Sequence, residues 1–233
     1  MHKNEQYTVL ITGANRGIGL EFVTQYAADG WRVLACCREP QAAKVLNGLA
    51  SEHANIEVYA LDVADFTQID ALASQLKNTA IDVLINNAGV YPNSRFGDVN
   101  EAAWVEAFKI NVMAPQKIAE AFQAHLANSQ LKKLATLSSK MGSLDDNTSG
   151  GSVAYRSTKC AVNMVMKSLS IDLKPAGISV VTLHPGWVQT DMGGSNAMIN
   201  TQTSVTGLRK VIDNLSLGNT GEFIAFDGQE IKW

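Results

Sequence analysis

With 233 residues, 46% of them hydrophobic and 18% charged, the chain is long enough for one sizeable core and apolar enough to fill it. A net charge of −3 with interspersed signs excludes the basic footprint of a nucleic-acid or anionic-membrane binder. Three cysteines, two of them adjacent (Cys36, Cys37), make neither a disulfide framework nor a metal site, so a reducing cytoplasm is the expected compartment.

The stretch Met1–Gln6 is short and polar, which does not read as a signal peptide, and no apolar run is long enough to span a bilayer. Tyr7–Ile11 is apolar and β-branched without alternation, the pattern of a buried parallel strand. It stops at Thr12-Gly13-Ala14-Asn15-Arg16-Gly17-Ile18-Gly19. From Ile18 the apolar positions take helical spacing, with Ile18, Phe22, Val23, Tyr26 and Ala27 on one side, and Gly30 closes that helix. Strands follow at Trp31–Cys36, Ile56–Leu61, Ile81–Ile85, Lys133–Leu137, Ile178–Leu183 and Phe223–Ala225. Helical patterns lie between them at 41–52, 66–76, 101–128, 157–173 and 205–215. Strands alternating with helices predict an α/β fold, a doubly wound parallel sheet of about seven strands with helices on both faces. Residues 1–233 read as a single domain with the substrate pocket built in, and the Gly/Ser/Asp-rich piece 142–152 as an internal loop. In such a sheet ligands bind beyond the carboxyl ends of the strands, where the winding reverses.

The glycine loop sits between the first strand and the first helix, the context in which such a motif has meaning. Gly13, Gly17 and Gly19 let the backbone turn and approach a pyrophosphate, with Asn15, Arg16 and Ile18 between them, and the charge rests at the helix N-terminus. At the end of the second strand an acidic residue would bond a ribose 2′-hydroxyl, and an arginine would accept a 2′-phosphate. The chain offers Arg38 there, with Arg16 from the glycine loop as a second guanidinium; Glu39, next to Pro40, is expected to point away. NADP(H) is favoured over NAD(H).

Tyr155 and Lys159, four apart, share one face of a helix, if the segment is helical. A cation held nearby favours phenolate, so the pair suits proton exchange with a carbonyl or an alcohol near neutral pH. Leu61-Asp62-Val63 and Asn86-Asn87-Ala88-Gly89 follow the third and fourth strands. With the glycine loop and Tyr155-x-x-x-Lys159 they make the chain resemble a short-chain dehydrogenase/reductase over nearly its whole length. Leu137–Ser143, Asn111–Pro115 and the ending Phe226-Asp227-Gly228…Trp233 resemble the small carbonyl-reductase-like branch, of the sniffer and C-factor-like kind.

The resemblance implies an enzyme, one that reduces an aldehyde or ketone by hydride transfer from NADPH. Tyr155 would be the proton donor, Ser139 would orient the substrate oxygen (Ser138 being its rival), and Lys159 would lower the Tyr155 pKa and hold the nicotinamide ribose. Asp62 and Val63 would meet the adenine, Asn87, Ala88 and Gly89 the ribose side. The Pro185-Gly186-Trp187-Val188-Gln189-Thr190 segment would meet the nicotinamide, through Pro185, Gly186, Val188 and Thr190. Asn111 would complete the set. Pro115 stands one hydrogen-bond register after Asn111 and has no N–H, so it is expected to leave the Asn111 carbonyl free to hold a water that relays protons to Lys159. His184 reads as structural, and no metal is expected.

The rivals are an NAD-dependent alcohol dehydrogenase of the same family, or a cofactor-binding signalling or sensor protein with little turnover. Segments 91–98, 141–153 and 187–203 are expected to wall a pocket for a small carbonyl or alcohol substrate, Asp145 and Asp146 to be solvated, and Gly193–Asn196 to form a mobile lid. Neither nucleic acid nor membrane is expected as a partner. Ala161, Val162, Val165 and Leu169 keep open a homodimer or homotetramer through the helix that carries Tyr155.

Overall fold

Nine strands are present in the computed structural model, which describes residues 6–233; Met1–Glu5, part of the segment read as no signal peptide, lie outside the described residues. Their bounds are β1 Thr8–Thr12, β2 Arg32–Cys37, β3 Ile56–Ala60, β4 Val83–Asn86, β5 Ser94–Arg95, β6 Asp98–Val99, β7 Lys133–Leu137, β8 Ser179–His184 and β9 Glu222–Ala225. The α-helices are α1 Gly17–Ala28, α2 Lys44–Glu52, α3 Phe66–Gln75, α4 Glu101–Phe108, α5 Ala114–Ala127, α6 Val153–Asp172 and α7 Thr201–Asp213. Seven strands pair in parallel in the order β3-β2-β1-β4-β7-β8-β9, so the winding reverses between β1 and β4.

Both faces of this sheet are covered, which is why its strands read as unbroken apolar runs. Along β1, Leu10 packs on one side with Phe122, Val162 and Met166. Val9 and Ile11 pack on the other with Phe22, Tyr26 and Leu208. Phe22 and Phe122 are fully buried; each stabilises the fold by about 1.5–3 kcal/mol. Among the described residues no helix is long and apolar enough to cross a membrane.

The expected elements are present with boundary shifts, and three readings change. Helix α6 starts at Val153 rather than near residue 157, which brings Tyr155 inside its first turn. The region 101–128 is not one α-helix: a π-helical turn, Lys109–Met113, separates α4 from α5. Proline clashes with the carbonyl four residues back, here that of Asn111, and a π turn accommodates the misfit. A small antiparallel hairpin, β5–β6, was not signalled by alternation, because two-residue strands are too short to show a period. Finally, Val162 and Leu169 are buried in the chain's own core, with Ala161 and Val165 packed against it. Val162 and Leu169 are thus taken up by the core, while Ala161 and Val165 keep part of their surface exposed.

Candidate active site

The crevice at the reversal point is framed by the ends of β1 and β4. There Thr12 ties the two strands together: its hydroxyl accepts the N–H groups of Asn87 (3.0 Å) and Ala88 (3.1 Å). The Asn87 amide donates to the carbonyls of Thr12 (2.8 Å) and Gly13 (3.1 Å). The glycine loop fits into this frame at van der Waals contact. A Cβ at Gly19 would collide with the Gly13 carbonyl oxygen and the Asn87 side chain, and Gly13 turns at φ 65°, a left-handed value that favours glycine. Gly17, at φ 55°, faces the Thr190 side chain, which brings the segment after β8 onto the loop.

The first turn of α1 holds no acidic residue and its N-cap, Arg16, makes no side-chain cap. Open N–H groups beside a glycine cradle are what a pyrophosphate needs, so the loop fits a dinucleotide. Arg38 is exposed at the end of β2, and Glu39 is exposed beside it. The Arg16 guanidinium is paired with Asp191 at 2.8 Å, both highly exposed, a link that water screens. Asp62 turns its carboxylate back on the Ala64 N–H (2.9 Å), and Val63 is buried.

Tyr155, Lys159 and Ser139 gather beyond β4 and β7, each under a tenth exposed. Ser139 leads into a 3-10 turn, Lys140–Gly142, and its hydroxyl accepts the Met141 N–H. Its rival Ser138 is occupied, donating to Asn163 Oδ1 at 2.6 Å inside the core. Lys159 Nζ stands 5.6 Å from the centroid of the Tyr155 ring and donates to the Leu137 carbonyl at 2.8 Å. Burial pushes the Tyr155 phenol up to about 12, with a hydrogen bond from Ser139 pulling down and Tyr91 adding a small upward push. The same burial lowers Lys159 to about 8. The expected lowering of the phenol pKa is not met: the largest cause of the Tyr155 shift is desolvation, which acts upward.

Asn111 is 1% exposed and joins this cluster through its side chain rather than through Lys159. Its Oδ1 accepts the Val90 N–H (2.9 Å), while Nδ2 donates to the Val90 carbonyl (2.9 Å) and to Thr158 Oγ1 (3.0 Å). Thr158 in turn donates to the Tyr155 carbonyl. The Ala114 N–H is spent on the Lys109 carbonyl, and Pro115 has none. The usual helical donors to the carbonyls of Ile110 and Asn111 are thus both gone.

Beyond β8, Pro185, Gly186, Val188 and Thr190 lead into a compact turn. The Pro185 carbonyl accepts the Ser204 hydroxyl (2.6 Å), and Gly186 sits at φ 85°. Val188 is buried, and the Thr190 hydroxyl accepts the Gly193 N–H (3.1 Å). In the Gly193–Asn196 piece, expected to be a mobile lid, the Gly194 N–H donates to the Thr190 carbonyl and the Gly193 carbonyl accepts the Trp187 indole N–H. His184 accepts the Lys140 N–H on Nδ1 (3.2 Å), and burial lowers it to about 4. It is a structural histidine holding the turn after Ser139. Asp145 and Asp146 pair with Lys232 and Lys140 at the surface.

Sequence reasoning missed Gly142. A Cβ there would stand 2.6 Å from the Lys159 carbonyl carbon, so only glycine lets the Ser139 turn lie against the helix that carries the pair. It also gave Tyr91 no role beyond opening the 91–98 pocket wall, yet the Tyr91 ring lies on Tyr155 with centroids 4.5 Å apart.

A short chain dehydrogenase family model matches residues 7–200. Among curated relatives, the C-signal of Myxococcus xanthus is 43% identical over 164 residues, 70% of this chain and 99% of that protein. Among solved structures, an NADPH-bound carbonyl reductase from chicken fatty liver superposes with a TM-score of 0.93 at 34% identity, covering 98% of this chain and 99% of that one. The carbonyl reductase Sniffer of Drosophila melanogaster gives 0.92 at 35% identity, covering 98% and 100%.

Proposed function

The chain belongs to the short-chain dehydrogenase family of oxidoreductases, and from that premise we propose that it reduces an aldehyde or ketone to the alcohol with NADPH. The observation that carries the reading is the phenol of Tyr155, buried between Ser139 and Lys159 at the mouth of the crevice and kept protonated up to about 12. A protonated phenol with a serine hydroxyl beside it is placed to donate a proton to a carbonyl oxygen.

NADPH, when bound, supplies the hydride. The N–H groups around Gly13, Asn15, Gly17, Ile18 and Gly19 would hold its pyrophosphate. Arg38 is free for the 2′-phosphate, and Arg16 can join it by releasing Asp191, since an exposed ion pair holds by only about 0–1 kcal/mol. Asp62 and Val63 would border the adenine, Asn87–Gly89 the ribose side, and Pro185–Thr190 the nicotinamide. Ser139 would donate to the substrate oxygen and Tyr155 would protonate it. Lys159 would hold the ribose and receive replacement protons by a water on the Asn111 carbonyl; a crystal structure in which that carbonyl accepts a backbone N–H removes the relay. The NADP-bound relatives support the cofactor, and three free cysteines suit a cytoplasmic home. Residues 1–233 would act as one domain.

The test is Tyr155→Phe, assayed by loss of NADPH absorbance with a panel of aldehydes and ketones. Turnover should fall by at least about 10²-fold, as for removal of a general acid, with the Kd for NADPH within about twofold of the parent. Loss of both, or of neither, refutes the assignment.

A further inference from the structure

Tyr155 lies in the first turn of α6, a place where helices fray unless capped, and Ser152 at the N-cap makes no side-chain cap of its own. The missing cap comes from the segment after β4. Ser94, buried, accepts the Ala154 N–H on its hydroxyl at 3.0 Å, from 60 residues away. Three residues earlier, the Tyr91 hydroxyl shares a 2.6 Å hydrogen bond with the Ser152 hydroxyl, and Ser152 is held at φ 44°, the left-handed region. The Tyr91 ring lies on the Tyr155 ring, centroids 4.5 Å apart and planes tilted by 45°. Val90, next to it, is fixed from below by Asn111. Tyr91 is nonetheless 42% exposed, so part of the side chain stays accessible beside Tyr155.

We propose that Tyr91 is a positioning residue that holds the Tyr155 phenol in place and water-free, and that its open ring surface forms the wall against which a flat, apolar carbonyl substrate such as an aryl aldehyde lies. Aromatic pairs attract beyond their burial and prefer tilted or offset geometries, which favours one ring orientation for Tyr155 over its neighbours. The proposal rests on carbonyl reduction with Tyr155 as the acid. The groups facing the Tyr155 phenol are few: Ser139 from the segment after β7, Lys159 from α6 and Tyr91 from the segment after β4. Arg156, adjacent in sequence, is turned away onto Gly150, Met141 and Ser149.

The experiment compares benzaldehyde and propanal with NADPH across pH, in the parent enzyme and in Tyr91→Phe, Tyr91→Leu, Tyr91→Ala and Tyr155→Phe. Tyr91→Ala should raise KM for benzaldehyde at least tenfold while changing it less than threefold for propanal. It should also lower kcat for both and move the alkaline limb of kcat to lower pH by about one unit, because water then reaches the phenol. Tyr91→Phe keeps the ring and should restore the KM and the alkaline limb, which a merely structural role would not predict. If Tyr91→Ala fails to fold, Tyr91→Leu carries the KM comparison, since it keeps bulk and loses the ring. Equal KM effects on the two aldehydes, or an alkaline limb unmoved in Tyr91→Ala, overturn the proposal. Turnover that survives Tyr155→Phe strikes the proton-donor reading itself; turnover lost there but unchanged in the Tyr91 variants overturns the role of Tyr91 alone.

Discussion

Replacing Asn111 with alanine isolates what the π turn and its side chain do for the site. Asn111 is buried and makes three hydrogen bonds, two of them to the N–H and carbonyl of Val90 and one to Thr158. Alanine leaves both Val90 groups without that partner, at about 1–3 kcal/mol each for a desolvated polar group, and it opens a small void. Thr158 suffers less, because its hydroxyl still donates to the Tyr155 carbonyl. The sum is a loss of about 2–5 kcal/mol, a large share of the ~5–15 kcal/mol that holds a typical domain. Urea unfolding followed by tryptophan fluorescence measures it, with the slope checked for constancy. Combining Asn111→Ala with Thr158→Val should give a coupling energy of about 0.5–1.5 kcal/mol, since the two share one bond. A loss below about 1 kcal/mol at constant slope refutes the reasoning: the Val90 backbone would then have found other partners, and the segment bearing Tyr91 would not depend on Asn111.

Two further outcomes are expected. His184 has its pKa lowered to about 4 from an unfolded value near 6.5 by burial, with Lys140 adding to it. The folded state therefore binds fewer protons than the unfolded one between those values. The stability His184 contributes is fully present above about pH 6.5 and is lost as pH falls toward 4, by up to roughly 3 kcal/mol. Thermal unfolding of the parent and of His184→Asn across pH 4–8 reads it; parallel curves would refute it. Arg38→Ala and Arg16→Ala should each weaken NADPH binding by about 5- to 100-fold and leave NADH within about twofold, on the scale of one charge-assisted phosphate bond. Equal losses for both nucleotides would remove the 2′-phosphate assignment.

The order of elements was legible because a parallel sheet buried on both faces demands unbroken apolar runs such as Val9-Leu10-Ile11, and because helices on its faces show their own period. The glycine loop was legible for a similar local reason: close approach and a left-handed φ at Gly13 leave little choice of residue type. The Tyr155–Lys159 spacing was equally local, being one turn of one helix.

What the sequence by itself determined, then, was the fold class, the glycine loop between β1 and α1 and the one-turn spacing of Tyr155 and Lys159, since each follows from residues near one another in the chain. The tertiary structure decided what surrounds that pair. The N–H that needs capping at Ala154 is met by Ser94, and the face of Tyr155 is covered by Tyr91, across separations that no short-range period encodes. The sign of the phenol's shift was decided there too. Spacing promised a nearby cation, whereas burial, which depends on every neighbouring element at once, is the largest cause of the Tyr155 shift and acts upward.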